Sequence, residues 1–192
     1  MFSIFKYFQK SSISPNNKKF LIVGLGNIGE EYKNTRHNIG FDIVDQLGKI
    51  LKGTFNSAKY GDILKSKYAG KQIILLKPNT FMNLSGKAVL YWLKKEKIHT
   101  NNLIVIVDDL NINFGVSRLK PSGSDGGHNG LKDITNSLNT SNFPRLRFGI
   151  GNNFKKKDQV DFVLSKWNNE ESNNLGHLID KNVEIIFSSI KQ

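Results

Sequence analysis

The sequence contains no cysteine. The chain therefore has no disulfide, no thiolate nucleophile and no cysteine ligand for zinc. Its four histidines do not form the H-E-x-x-H pattern of a zinc protease: they are His37, His99, His128 and His177. We therefore expect neither a catalytic metal nor another cofactor, and the lack of cysteine fits the reducing environment of the cytoplasm.

Long apolar runs are also missing. The longest, Phe20–Leu25 and Ile73–Leu76, have the length of a strand, whereas a membrane-spanning helix needs roughly 20 apolar residues. The composition, 38% hydrophobic and 23% charged residues, is that of a globular protein. A chain of 192 residues normally folds as one domain, and we expect no membrane partner.

Acidic residues are scarce relative to basic ones. There are 16 Asp and Glu against 28 Lys and Arg, which gives a formal net charge of +12. Such an excess attracts polyanions at long range. Nucleic acid is the leading partner on this ground, an anionic membrane surface is the second, and a surplus of charge that only favours solubility is the third.

Residues 1–19 differ from the rest of the chain and are predicted to be an extension before a domain at 20–192. Met1–Phe8 is apolar and aromatic, a Ser- and Lys-rich stretch follows, and no acid occurs before Glu30. The extension contains no Arg, which transit peptides favour, and no sustained apolar core with a cleavage site. A short amphipathic helix or a terminal tail is the favoured interpretation.

From Phe20 onwards strand and helix patterns alternate, which predicts a single α/β domain. The predicted strands are Phe20–Leu25, Tyr60–Tyr68, Lys71–Lys77, Leu103–Val107, Gly115–Lys120 and Arg145–Ile150. The predicted helices are Asn38–Leu51, Ser85–Lys95, Asn129–Leu138 and Glu170–Ile190, with Ser85 expected to cap its helix.

The segment Gly24–Gly29 matches G-x-G-x-x-G directly after a strand, a pattern typical of dinucleotide sites. In such sites the glycines lead straight into a helix that holds the pyrophosphate. Here Glu30 and Glu31 follow, and the helical pattern begins only near Asn38. The glycines therefore favour a simple turn at a strand end, or a turn that presents Asn27, over a nucleotide site.

Polar residues at the ends of predicted strands and the starts of predicted helices could hydrolyse an ester. Histidine is a suitable general base for water, a carboxylate can orient it, and Asn amides can stabilise an oxyanion. The residues available for these roles are His37, Asp108, Asn27, Asn83 and Asn129. The alternative is an exposed loop histidine, a turn at Asp108-Asp109 and ordinary loop asparagines.

Four blocks of the sequence resemble, in order and spacing, those of bacterial-type peptidyl-tRNA hydrolases. They are Phe20–Gly40, Lys77–Gly86, Gly126–Asp133 and Arg145–Gly151. The resemblance extends from about Phe20 to about Leu164. It implies a compact monomer with a mixed twisted β-sheet flanked by helices. It also implies hydrolysis of the ester between a peptide and the 3′ ribose of tRNA, which releases tRNA for translation.

Residue roles also follow from this resemblance. His37 is similar to the family's catalytic base, Asp108 to the carboxylate that orients it, and Asn27 to a side chain at the substrate's end and the attacking water. The resemblance implies further substrate contacts at Tyr32, Phe81, Met82, Asn83, His128 and Asn129. It implies tRNA phosphate contacts at Arg118, Lys120, Arg147 and Lys156, with Arg145 as an alternative to Arg147.

Two positions depart from the family pattern: Asn111, where many relatives have a carboxylate, and Asp125, which adds a negative charge near His128. Two other functions compete with hydrolysis. Relatives of this fold act as RNA-binding splicing cofactors without catalysis, and the glycine motif allows a nucleotide-binding oxidoreductase. The presence of all five site residues favours the hydrolase.

Overall fold

Short runs of aliphatic residues form the strands of one seven-stranded sheet. The structure, a computed structural model, describes residues 18–191 apart from the side chain of Lys156. The strands are β1 Lys19–Gly24, β2 Asn56–Ala58, β3 Gly61–Tyr68, β4 Lys71–Pro78, β5 Leu103–Asp109, β6 Ser117–Lys120 and β7 Arg145–Gly149. The helices are α1 Ile39–Ile50, α2 Ser85–Glu96, α3 Asn129–Leu138, α4 Gln159–Leu164 and α5 Asn169–Lys191.

The sheet is mixed, as the sequence resemblance implied. Its strand order is β2-β3-β4-β1-β5-β7-β6. The four central strands β4, β1, β5 and β7 are parallel, and the edge strands pair antiparallel. All seven residues of β5 are buried, because a central parallel strand is covered on both faces.

Side chains alternate between two helical layers along the central strands. In β1, Leu21 and Val23 point to the layer that contains α2 and α3, whereas Ile22 points to the layer that contains α1 and α5. Trp92 of α2 is 1% exposed, and its indole N–H donates to the backbone carbonyl of Lys59 at 3.0 Å. The sheet is therefore covered on both sides, and its strand ends remain for a site.

All the predicted strands and helices are present. The observed ends of each of these elements lie within two residues of the predicted ends. Strand β2 and helix α4 were not predicted; they have three and six residues, too few for a period to be detected. The predicted extension at 1–19 lies outside the described residues except for its last two, and β1 already begins at Lys19. The 1–19 boundary remains a prediction.

The predicted helix cap at Ser85 is wrong. Ser85 is the first residue of α2 rather than its cap, and its hydroxyl donates to the carbonyl of Met82 at 2.8 Å. The backbone N–H of Gly86 is instead satisfied by the carboxylate of Asp133 in α3, at 2.7 Å. The first turn of α2 is thus capped by a tertiary contact from α3 and not by the local side chain of Ser85. A sequence pattern does not contain such a tertiary contact.

Two glycines allow α1 to contact the sheet backbone directly. A Cβ added to Gly24 of β1 would lie 2.1 Å from the carbonyl oxygen of Gly40, and one added to Gly40 would lie 2.4 Å from that of Leu25. The first glycine of the G-x-G-x-x-G pattern thus serves helix packing. This contact sets the position of the loop immediately before α1.

No helix in the described part of the chain, residues 18–191, combines the length and the apolar character that crossing a membrane requires.

The Gly40 contact predicts that alanine substitutions at two helical glycines, Gly40 and Gly176, change the free energy of unfolding in opposite directions. Gly40→Ala should lower the free energy of unfolding by about 2–3 kcal/mol, because the added methyl group meets rigid backbone. Gly176→Ala in α5, where a Cβ would meet nothing within 4 Å, should raise it by about 0.5–1 kcal/mol. Urea unfolding of both variants tests this, and equal stability would contradict the packing argument.

Candidate active site

A cavity of about 590 Å³ opens where β1 and β5 end. This is the edge at which open α/β sheets place their ligands. Its walls come from the ends of these two strands, the segment after β4, the glycine-rich loop before α3, and α4. Segments that are far apart in the sequence therefore meet in one crevice.

A histidine–aspartate pair lies in this cavity. The Nδ1 atom of His37 lies 2.8 Å from Oδ1 of Asp108. Asp108 is 5% exposed near the end of β5, and His37 lies on a 3-10 turn, Arg36–Asn38, just before α1. The bond leaves Nε2 of His37 without a hydrogen bond among the described residues.

The pair shifts the pKa of both partners. Burial alone would lower the pKa of His37, but the charge of Asp108 and its hydrogen bond outweigh burial, so this pKa lies above its ordinary value. Burial alone would raise the pKa of Asp108, but the charge of His37 and the hydrogen bonds from His128 and His37 hold it well below its usual range. Asp108 is therefore a carboxylate at neutral pH.

A second histidine contacts the same carboxylate. His128 Nε2 lies 3.1 Å from Oδ1 of Asp108, and the two imidazole rings are 5.0 Å apart. His128 also caps α3, because its Nδ1 accepts from the backbone N–H groups of Gly130 and Leu131. The predicted substrate contact at His128 therefore lies at the cavity with both ring nitrogens engaged by the protein.

The residues on either side of His37 hold its loop in place. Asn38 is 5% exposed; its side chain accepts from the backbone N–H of Asn27 at 2.8 Å and donates to the carbonyl of Asn27 at 2.9 Å. Arg36, also 5% exposed, bonds to Glu171 at 2.5 Å and lies over the ring of Phe162. The sequence analysis missed both positioning roles, although both residues belong to its first family block.

Three side-chain amides line the cavity around His37. They belong to Asn27, Asn83 and Asn129. Within residues 18–191, these amides form no hydrogen bond with another protein group, which leaves them available to a ligand. The described cavity lining contains no Ser, Thr or Cys, so this site offers a base and amides but no hydroxyl or thiol nucleophile.

Part of the cavity wall is apolar. Phe81 and Met82 line it, and Phe81 is 75% exposed. Helix α4 contributes Val160, Val163 and Leu164; the sequence analysis missed this helix, because six residues are too few to establish a helical period. Tyr32 is half-buried on the 3-10 turn Glu30–Tyr32 and is not part of the cavity lining.

The two arginines of β7 have different environments. Arg145 is 0% exposed, and its guanidinium donates to the carbonyls of Gly123, Ser124, Ser141 and Phe143. Arg147 lines the cavity, and its Nε lies 2.7 Å from Oδ2 of Asp109. Of the two, only Arg147 is placed to meet a ligand.

The remaining predicted phosphate contacts lie beside the cavity. Arg118 and Lys120 are exposed on edge strand β6, where Arg118 pairs with Arg147 and Lys120 with Arg145 in the strand register. Lys156 lies on a 3-10 turn, Lys156–Asp158. Exposed basic residues thus continue outward from Arg147 along the sheet edge.

The two departures from the family pattern have local partners. The backbone N–H of Asn111 donates to Oδ1 of Asp109 at 2.9 Å, so Asn111 contacts the carboxylate that pairs with Arg147. The carboxylate of Asp125 accepts from the backbone N–H of Gly127 at 2.8 Å. Asp125 therefore stabilises a turn of the glycine-rich loop.

One group of side chains in residues 18–191 has the composition of a metal site. It is His37, Asp108 and His128, whose ligand atoms lie within 4.8 Å of one another. The nitrogen-to-oxygen distances of 2.8 and 3.1 Å are those of hydrogen bonds. The geometry is accounted for by two N–H groups that donate to one carboxylate oxygen.

Comparisons with known proteins identify the family. The sequence profile of the family described as Peptidyl-tRNA hydrolase matches residues 21–192. The chain belongs to the peptidyl-tRNA hydrolase family. It is 53% identical to the peptidyl-tRNA hydrolase of Parabacteroides distasonis and 51% identical to that of Azobacteroides pseudotrichonymphae; each match covers 88% of this chain and 91% of the relative.

The fold of a solved relative agrees. The crystal structure of the peptidyl-tRNA hydrolase from Acinetobacter baumannii matches with a TM-score of 0.81 and 38% sequence identity, over 91% of this chain and 88% of that one. The family match continues to residue 192, beyond the Leu164 limit of the resemblance seen in the sequence. Helix α5 therefore belongs to the family fold.

The difference between the β7 arginines predicts a difference in stability. Arg145→Lys should lower the free energy of unfolding by about 2–4 kcal/mol, because the ammonium group of lysine cannot make the hydrogen bonds that the planar guanidinium donates to four carbonyls. Arg118→Lys, one strand away and exposed, should change it by less than about 0.5 kcal/mol. Thermal and urea unfolding measure both, and a stable Arg145→Lys protein would refute the structural role.

Proposed function

We propose that this member of the peptidyl-tRNA hydrolase family hydrolyses the ester between a peptide, or an N-blocked aminoacyl group, and the 3′ ribose of tRNA, with His37 as general base. The main support is the His37–Asp108 pair in a cavity whose described lining offers no hydroxyl or thiol nucleophile. A covalent route through a hydroxyl or thiol therefore has no candidate in this lining, and we propose that water activated by His37 attacks the ester.

The reaction then proceeds in two steps. Nε2 of His37 takes a proton from water as the water oxygen bonds to the ester carbonyl carbon, and Asp108 stabilises the imidazolium. The tetrahedral oxyanion then collapses, the bond to the 3′ oxygen breaks, and the imidazolium returns its proton to that oxygen. The products are a peptide carboxylic acid, which ionises by releasing its proton to solvent, and tRNA with a free 3′ hydroxyl.

The free amides serve the water, the oxyanion and the substrate's end. Neutral N–H donors can stabilise a developing oxyanion by hydrogen bonds. Because they carry no positive charge, they bind the product carboxylate less tightly than a cation would. Asn27 has its backbone fixed by Asn38, which makes it a well-positioned candidate for the attacking water. Asn83 and Asn129 also line the cavity and are proposed to hold the ester and the terminal ribose.

The apolar wall provides a surface for the peptide side chain and the terminal base. A ring as exposed as that of Phe81 can stack on an adenine face without base selection. Met82 continues this wall, and a thioether adapts to side chains of different shape. Tyr32, outside the lining, is proposed to contact a longer substrate at the cavity entrance.

The basic edge supplies affinity for the tRNA backbone. Arg147, Arg118 and Lys120 are proposed to bind phosphates near the acceptor end, and Lys156 a phosphate further along. Phosphate contacts give affinity without reading sequence, which suits an enzyme that must accept many tRNAs. We further propose that the protein acts in the cytoplasm as a monomer, without a metal ion and without a membrane partner.

The central experiment measures peptide release from N-acetyl-aminoacyl-tRNA by the wild type and by His37→Ala, each with and without EDTA. Wild-type release that persists in EDTA and falls by about 10²–10⁴-fold or more in the variant is expected, because the general base is lost. Equal release by both proteins would refute the role of His37. Binding of tRNA without release by the wild type would instead identify an RNA-binding protein.

The histidine–aspartate pair predicts a shift in pH dependence. His37 must be neutral to act, so kcat/KM should fall as the pH drops through a pKa above the ordinary 6.5. Asp108→Asn removes the charge that raises this pKa, and a neutral amide oxygen favours the imidazolium less than a carboxylate does, while burial remains. The acidic limb should therefore move to lower pH, with a rate loss of roughly 10²–10⁴-fold at the plateau. An unmoved limb would contradict this assignment.

Arg118 allows a test of the proposed phosphate surface, because Arg147→Ala would also remove the ion pair of the buried Asp109. Arg118→Ala should weaken tRNA binding and reduce the slope of log Kd against log salt by about one. Lys67→Ala on β3 removes the same charge at an exposed position on the other half of the sheet. It should leave the slope unchanged, and equal effects of both variants would indicate only long-range attraction.

A further inference from the structure

His128 has no ring nitrogen left for a substrate. Nδ1 accepts from the backbone N–H groups of Gly130 at 3.1 Å and Leu131 at 3.3 Å. Nε2 lies 3.1 Å from Oδ1 of Asp108, and the side chain is 7% exposed. The substrate contact that the sequence resemblance implied at this position therefore has no group to make it.

These partners also fix the tautomer of His128. An imidazole nitrogen that accepts from two N–H groups holds no proton, so the proton is on Nε2. Nε2–H then donates to the carboxylate, which accepts only. His128 thus connects the first turn of α3 to Asp108 through one neutral ring.

Oδ1 of Asp108 consequently receives two N–H groups from different parts of the fold. His37 donates from the turn before α1, and His128 donates from the start of α3. Two N–H groups that donate from different directions fix the rotation of the Asp108 carboxylate about its Cβ–Cγ bond. The orientation of the carboxylate in turn sets the direction in which Nε2 of His37 points.

We propose that His128 is a positioning residue that holds Asp108, and through it His37, in the geometry for proton transfer, and that it does not bind substrate. This inference rests on the proposed function of His37. It requires that loss of the Nε2–H bond lowers kcat with little change in KM. It also requires that loss of the Nδ1 bonds lowers the stability of α3 rather than the chemistry.

Two substitutions separate these bonds. The amide of Asn lies where Nδ1 of His lies, so His128→Asn keeps an oxygen that can cap α3 and loses the bond to Asp108. The longer Gln side chain places its amide nitrogen near the position of Nε2, so His128→Gln keeps a donor to Asp108 and loses the cap. His128→Ala loses both bonds.

The experiment compares kcat, KM and melting temperature in the three variants and the wild type. We expect kcat in His128→Asn to fall roughly ten- to a hundredfold with KM unchanged, as for a lost hydrogen bond to a charged group. His128→Gln should recover most of kcat but melt at a lower temperature than His128→Asn. A raised KM with unchanged kcat in His128→Asn would instead establish substrate binding and refute the proposal.

A second measurement does not need activity. Long-range ¹H–¹⁵N NMR of the wild type should show His128 protonated on Nε2 and unprotonated on Nδ1. The opposite tautomer would overturn the proposal even in an active enzyme. If the wild type releases no peptide but shows the expected tautomer, the proposed function fails while the link between α3 and Asp108 stands.

Discussion

The burial of one carboxylate at the end of the central strand is the constraint on which the site depends. A buried charge without partners costs several kcal/mol, and Asp108 is 5% exposed. His37 and His128 satisfy it with two N–H groups on a single oxygen. In the proposed reaction the same carboxylate pairs with the imidazolium of His37, so the hydrogen bond that compensates the burial of Asp108 would also support His37 as a base.

Precise placement of His37 does not come from regular structure, since it lies on a single 3-10 turn. It comes from three consecutive residues with three different anchors. Arg36 bonds to Glu171 of α5, His37 to Asp108 of β5, and Asn38 to the backbone after β1. The backbone contact between α1 and β1 fixes where this turn ends. A side chain on a loop needs such hydrogen bonds from neighbouring groups to hold its orientation.

Strands and helices with a clear local pattern of apolar residues could be predicted from the sequence. Strand β5 is an uninterrupted apolar run, and α1 repeats its apolar residues at helical spacing, so both were predicted within two residues. Helix α4 is too short to show a period. Contact between His37 and Asp108 was expected from the family resemblance, because the residues alone also allowed an exposed loop histidine and a simple turn at Asp108. The double engagement of His128 depends on where α3 starts relative to β5, a tertiary relation that a sequence pattern does not contain.

The glycine-rich loop joins the basic edge to the catalytic pair. Arg145 holds the carbonyls of Gly123 and Ser124 at its start, and His128 holds Asp108 at its end. Between them Gly126 has a φ of 63°, and an added Cβ would lie 2.0 Å from Nη2 of Arg147. A side chain at this position would displace the guanidinium of Arg147 from where it now lies. Because the loop is bonded at both ends, a phosphate bound at Arg147 would meet a preformed site next to His37, and binding energy from the tRNA backbone could orient the ester without a rearrangement.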